Sequence, residues 1–196
     1  MALTILKNCN IFNGIDDHLI GGANIVIEDG YIREITPHTT GLENTGRANL
    51  LDVSGKFVMP GLIDAHFHAY ASQANIALVD TMPAALRVAH ASRILEDTLQ
   101  RGFTTVRDAA GGDIGLKLAI DQGLISGPRF FFSGLAISQT GGHGDMRSPH
   151  HSPVCTCASC GTFSILADGA DEVRKAVREE LRKGATQIKV FVSGGV

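Results

Sequence analysis

Phe57-Val58-Met59-Pro60-Gly61-Leu62-Ile63-Asp64-Ala65-His66-Phe67-His68 is an apolar run that ends in two histidines one residue apart. In an extended backbone, residues i and i+2 point to the same side. The imidazoles of His66 and His68 can therefore face one ion. Neutral imidazole is a preferred ligand of zinc and similar divalent metals. A bare His-x-His is more often two histidines in an ordinary loop. Here the pair closes an expected strand, and the C-terminal ends of parallel strands are where enzyme barrels keep their chemistry. Pro60-Gly61 punctuates the start of that strand.

Downstream of Leu62 the pattern alternates between strands and helices. Leu62 to Ala65 is a first strand, Phe103 to Arg107 a second, Arg129 to Ser133 a third and Gln187 to Val192 a fourth. Between them, the spacing of Leu86, Ala89, Ile94, Leu95 and Leu99 predicts a helix from about Pro83 to Arg101, with Gly102 just past its end. A short helix follows over Ile114 to Asp121. An amphipathic one over Asp171 to Lys183 carries Val173, Val177 and Leu181 four apart and is closed by Gly184. Repeated β-α units imply a parallel sheet, and four of them are half of a TIM-type (β/α)8 barrel. The expected fold class is therefore α/β, with residues 59–196 as the first half of such a barrel.

Upstream, residues 1–58 read as short strands. Asn24 to Ile35 is two β-rich runs around Asp29-Gly30, a strong hairpin signal. Val53 to Val58 suggests a turn leading into another strand, and the polar stretch from Pro37 to Asn49 suggests a surface loop. The physical reading is a small β-sandwich.

At 44% hydrophobic and 19% charged, the 196 residues have globular composition. The net charge of −3 and the lack of a basic patch argue against nucleic acid or an anionic membrane as partners. No apolar run reaches membrane-spanning length, and Met1 to Lys7 lacks the pattern of a signal peptide. The expected location is cytoplasmic. Four cysteines do not make a disulfide framework in a chain of this size.

The Pro-Gly-Leu-Ile-Asp-x-His-x-His string, Thr104-Thr105-Val106-Arg107-Asp108, Gly141-Gly142-His143-Gly144-Asp145 and Gln187 to Gly195 together resemble the amidohydrolase superfamily of metal-dependent hydrolases. The pattern looks most like the imidazolonepropionase-related branch, which contains prolidases and other dipeptidases. That resemblance implies a barrel with an N-terminal sandwich completed by strands from the far C-terminus. It also implies further metal histidines after the fifth and sixth strands and an essential aspartate after the eighth. The chain is accordingly expected to be the N-terminal part of a longer enzyme, inactive and prone to aggregate when expressed alone.

Lys189 lies inside an apolar strand, where an unpaired ammonium is costly. The competing reading is an exposed lysine covering a strand edge. Burial disfavours a charged amine, and a neutral amine can add carbon dioxide to form a carbamate. In the resembled family a strand-four lysine in that form bridges two metals. The implied cofactors are two divalent ions, zinc in the first instance, held by His66, His68 and carbamylated Lys189, with amide cleavage by a metal-bridging hydroxide. Lys189 and His143 are the catalytic candidates. His143, in its glycine-rich loop, could donate to the substrate carbonyl, and Arg147 could hold a substrate carboxylate. Tyr70, Arg107 and Asp108 are weaker candidates to reach the site.

Cys155-x-Cys157-x-x-Cys160, after His150 and His151, could satisfy a structural zinc, but finger spacing is absent and reduced loop cysteines are favoured. Cys9 reads as a small core residue. The expected activity is hydrolysis of an Xaa-Pro or related dipeptide by a homo-oligomeric enzyme with small-molecule or dipeptide substrates. A cyclic-amide hydrolase or deaminase of the same superfamily stays open, as does a non-enzymatic zinc-binding or interaction module built around the cysteine loop.

Overall fold

A computed structural model describes residues 3–37, 48–147 and 161–194. These divide into two compact units, Met1–Pro60 and Gly61–Val196.

The first unit is one sheet of five strands: β1 (Leu3–Ile11), β2 (Ile20–Glu28), β3 (Tyr31–Thr36), β4 (Ala48–Asp52) and β5 (Phe57–Val58). The order is β3-β2-β1-β4, with β5 on the same edge of β1 as β4 but farther along it. β1, β2 and β3 run antiparallel, whereas β4 and β5 run parallel to β1. Asp29 and Gly30 form the hairpin turn, with φ of 50° and 85°. Positive φ at both central residues matches the twist of the flanking strands and explains why Asp-Gly stands there. Cys9, Ile11, Ala23 and Ile25 make the buried cluster on this sheet, so Cys9 packs as a small apolar residue. Among the described residues these five strands form a single layer. One expectation is corrected. The loop drawn from Pro37 to Asn49 ends sooner, because Ala48 and Asn49 already pair with Leu3 and Thr4; the β1 edge offers them a ladder that composition could not show.

The second unit is mixed α/β. It contains β6 (Leu62–Phe67), α1 (Ala77–Asp80), α2 (Ala84–Gln100), β7 (Phe103–Asp108), α3 (Ile114–Asp121), β8 (Arg129–Phe132), β9 (Ala136–Ser138), β10 (Ser164–Leu166) and α4 (Gly169–Arg182). β6, β7 and β8 form a parallel sheet in that order. Pro83 stands at the start of α2, and the Asp113 carboxylate caps α3 by accepting from the Leu116 N–H at 2.9 Å. Side chains alternate across the sheet. Val106, Phe130 and Phe132 are buried with Ala91 and Leu95 of α2 and Leu116 of α3. Burial of each such Phe or Leu contributes about 1.5–3 kcal/mol. Ile63 and Phe131 lie on the exposed, opposite side.

The fourth strand is the main departure. Gln187 to Val192 makes one parallel bridge, Ile137 with Val190. The reason lies in its neighbour. Beyond Phe132 the chain kinks at Gly134, φ 70°, and resumes as β9, which pairs with β10. The segment therefore divides its bonds. Thr186 N–H donates to the Phe132 carbonyl at 2.9 Å, while Ile137 donates to the Lys189 carbonyl and accepts from Phe191, each at 2.9 Å. What the described residues display is an open parallel sheet with helices packed on one face, without barrel closure.

Candidate active site

β6 delivers His66 and His68 to one cleft of about 530 Å³, which His143, Phe163, Lys189 and Phe191 also line. The two imidazole rings stand 5.2 Å apart between centroids, inclined at 64°. His68 Nδ1 lies 3.2 Å from the Ala110 carbonyl oxygen. A carbonyl can only accept, so Nδ1 carries the proton and Nε2 keeps its lone pair for a ligand. Burial holds the His68 pKa below its ordinary value, which favours the same neutral form. The Phe163 ring meets the His68 ring edge-on at 6.3 Å.

Lys189 approaches from the bridged segment. Its side chain is half-buried, and Nζ lies over the Phe191 ring, 5.2 Å from the centroid. Phe191 also packs edge-on against His143 at 4.8 Å. It is thus the shared wall between the lysine and the loop histidine.

The loop after β9 is built to present His143. Gly144 N–H donates to Ser138 Oγ at 3.1 Å, and its carbonyl accepts from Ser164 Oγ at 2.6 Å. A Cβ on Gly144 would stand 2.8–3.0 Å from Ser138, Ser164 and Phe191. Only glycine lets the backbone come this close. The His143 N–H reaches the Ser193 carbonyl at 3.3 Å, joining the loop to the segment that carries Lys189.

Asp108 is wholly buried at the end of β7. Its Oδ2 accepts from Ala69 N–H at 2.6 Å, and its Oδ1 accepts from Ala110 at 3.1 Å and Gly112 at 3.0 Å. Burial pushes its pKa up to about 7, against the pull of those three amides.

Other candidates are placed elsewhere. Arg147 does not line the cleft of His66 and His68. Its Nε and Nη2 reach Asp145 at 2.7 and 2.6 Å, and it lines a neighbouring cavity with Asp80 and Asp145. Tyr70 is buried and donates to Asp113 at 2.8 Å. Arg107 Nε donates to the Ala65 carbonyl at 2.9 Å. The loop of Cys155, Cys157 and Cys160, with His150 and His151, lies outside the described residues. Among the described residues no three His, Cys, Asp or Glu side chains gather as a metal group; the donors that line the cleft are the imidazoles of His66, His68 and His143 and the amine of Lys189. Phe163 and Phe191 were not singled out from sequence. Phe191 sits two residues from Lys189, and that spacing was the available signal.

Imidazoles at the C-terminal end of a parallel strand thus share one cleft with a lysine and a loop histidine in a mixed α/β fold. The sequence matches the Amidohydrolase family over residues 57–196, and the chain belongs to that family, which is metal-dependent as a rule. It is 39% identical over 155 residues to an ochratoxinase of Aspergillus niger, spanning 71% of this chain and 32% of that protein. Among solved structures it resembles a prolidase complexed with N-methylphosphonate-L-proline, at 45% identity and TM-score 0.92, covering 100% of this chain and 48% of the other. It also resembles a Xaa-Pro dipeptidase with bound methionine in the active site, at 28% identity and TM-score 0.82, again over 48% of that chain. The chain thus spans about half the length of these solved relatives. Among the described residues, no helix is long and apolar enough to cross a membrane.

Proposed function

We propose that this chain supplies part of the metal centre of a hydrolase that cleaves the amide bond of an Xaa-Pro or related dipeptide. The observation that carries the reading is the convergence of His66, His68, Lys189 and His143 on one cleft. The resemblance to the prolidase that holds a phosphonate analogue of a prolyl compound supports the substrate class.

The donor set suits a divalent metal. His68 offers Nε2 because its Nδ1–H is committed to Ala110, and His66 stands beside it. Lys189 would join them as a carbamate, formed when its neutral amine adds carbon dioxide and loses a proton. Zinc is the expected metal, with two ions per site. When bound, such ions polarise a scissile carbonyl and make water nucleophilic at neutral pH. His143, exposed at the cleft, donates a hydrogen bond to the oxygen on which charge develops. Phe163 and Phe191 narrow the space from which water must be excluded. With Arg147 paired to Asp145, the group that receives the substrate carboxylate is assigned to Arg147 only if substrate draws it from that pair.

The test is a substrate panel on the full-length enzyme: Xaa-Pro dipeptides, N-acyl amino acids, hydantoin-type cyclic amides and aminated purines. Turnover of the dipeptides is the expected result. Turnover confined to cyclic amides or purines would replace the dipeptidase reading with the other reactions of the superfamily.

A further inference from the structure

We propose that Asp108 is the positioning residue of this site, a buried tie that fixes the strand-end segments carrying His68 and Lys189 relative to one another. The proposal rests on the metal-centre reading above and adds a residue that touches neither metal nor substrate.

Asp108 joins four segments, two through its carboxylate and two through its main chain. Its carboxylate takes the N–H of Ala69, the residue that follows His68, at 2.6 Å. It also takes the N–H groups of Ala110 and Gly112 at 3.1 and 3.0 Å. Ala110 is the residue whose carbonyl receives the His68 Nδ1–H. Both ends of that orienting bond, the backbone after the imidazole and the peptide that supports it, hang on one carboxylate. Meanwhile the Asp108 carbonyl accepts from the Ser133 N–H at 3.1 Å, just past β8. It also accepts from Gln187 Nε2 at 3.0 Å, two residues before Lys189. The residue is fully buried, so water cannot stand in for any of these bonds.

The physical consequence follows from geometry. A carboxylate accepts at both oxygens, whereas an amide side chain accepts at one and donates at the other. In Asp108→Asn either Ala69 or the Ala110–Gly112 pair must face an N–H2 group, and a buried donor is left unsatisfied. The backbone after His68 then moves relative to the Ala110 carbonyl, and the imidazole loses its fixed tautomer and direction. Groups that orient metal-binding histidines in this way are worth about ten- to a hundred-fold in metal affinity.

The experiment is zinc competition with a chromophoric chelator on the full-length protein: wild type, Asp108→Asn and Tyr70→Phe. Tyr70→Phe removes the neighbouring part-buried bond to Asp113 and controls for general loosening. The expected result is zinc affinity about ten- to a hundred-fold weaker in Asp108→Asn and unchanged within about twofold in Tyr70→Phe, with both variants melting cooperatively. Equal affinity in wild type and a folded Asp108→Asn would overturn the proposal, as would an equal loss in Tyr70→Phe. If Asp108→Asn does not fold, Gln187→Ala decides. That change cuts the link to the Lys189 segment, together with a local bond that Thr186 Oγ1 donates to Gln187 Oε1, so affinity weakened by about threefold or more supports the tie, and wild-type affinity refutes it. A wild-type protein that binds no zinc would instead sink the metal reading itself, so the two failures are distinct.

Discussion

His143 stands exposed at the cleft, with its ring braced edge-on by Phe191. Its proposed task is to donate to the developing oxyanion. His143→Ala in the full-length enzyme is therefore expected to lower kcat/KM by about ten- to a thousand-fold, mostly through kcat. Metal content should not change. An unaltered kcat, or a loss of metal, would show that His143 does something else. Lys189→Ala is expected to abolish most activity and to be partly restored by added short carboxylates, which can replace the carbamate oxygens. At this scale the residues that gather at the cleft, His66, His68, His143 and Lys189, were legible in the sequence. The i, i+2 spacing of His66 and His68 and the lone cation at Lys189 are side-chain signals. The role of Asp108 was not legible, because its partners are main-chain N–H groups at Ala69, Ala110 and Gly112, which every sequence has. The sequence offers Arg147 as a group for a substrate carboxylate. In the structure the guanidinium meets Asp145 two residues away, a local pairing that the sequence spacing permitted.

Among the elements, the turn from Ser138 to Arg147 decides where His143 stands. Gly144→Ala would press a methyl group against Ser138, Ser164 and Phe191, and three contacts near 3 Å cannot all relax. The expected outcome is a lower Tm together with a fall in kcat/KM, since Phe191 is also the wall beside Lys189. Wild-type kinetics in Gly144→Ala would show that the loop packing does not set the site. The Asp145–Arg147 pair gives a pH signature. The guanidinium holds the Asp145 carboxyl below the ordinary carboxylate range, so its stabilisation is present above the unfolded-state pKa of about 4. It is lost as pH falls toward the lower folded value. Asp145→Asn should therefore lower Tm at neutral pH, and the gap to wild type should narrow as the solution is acidified through that range. A gap independent of pH would mean that packing, not the charge, is at stake. The helices over Ala84–Gln100, Ile114–Asp121 and Gly169–Arg182 follow the 3.6-residue periods of their sequences. The fourth strand does not follow its apolar run, because strand assignment depends on a neighbour. Here the neighbour breaks at Gly134 and sets its two halves, β8 and β9, against different parts of the segment.

At the scale of the whole molecule, the two faces of the parallel sheet differ sharply. One is packed beneath α2 and α3. On the other, Ile63 is 68% exposed and Phe131 39% exposed. Apolar sheet surface of this kind recruits other chains unless it is covered. Residues 1–196 expressed alone are expected to self-associate and to lack hydrolytic turnover. A monodisperse, cooperatively melting and active piece would contradict that. The central claim, however, is the metal centre that His66, His68 and Lys189 help to form. It is tested most directly by elemental analysis of the full-length protein, purified with zinc, as wild type and as the His66→Ala, His68→Ala double variant. The account expects two divalent ions per wild-type chain, at least one fewer in the double variant, and retention of its folded spectrum. A double variant that holds both ions as tightly as wild type would contradict it.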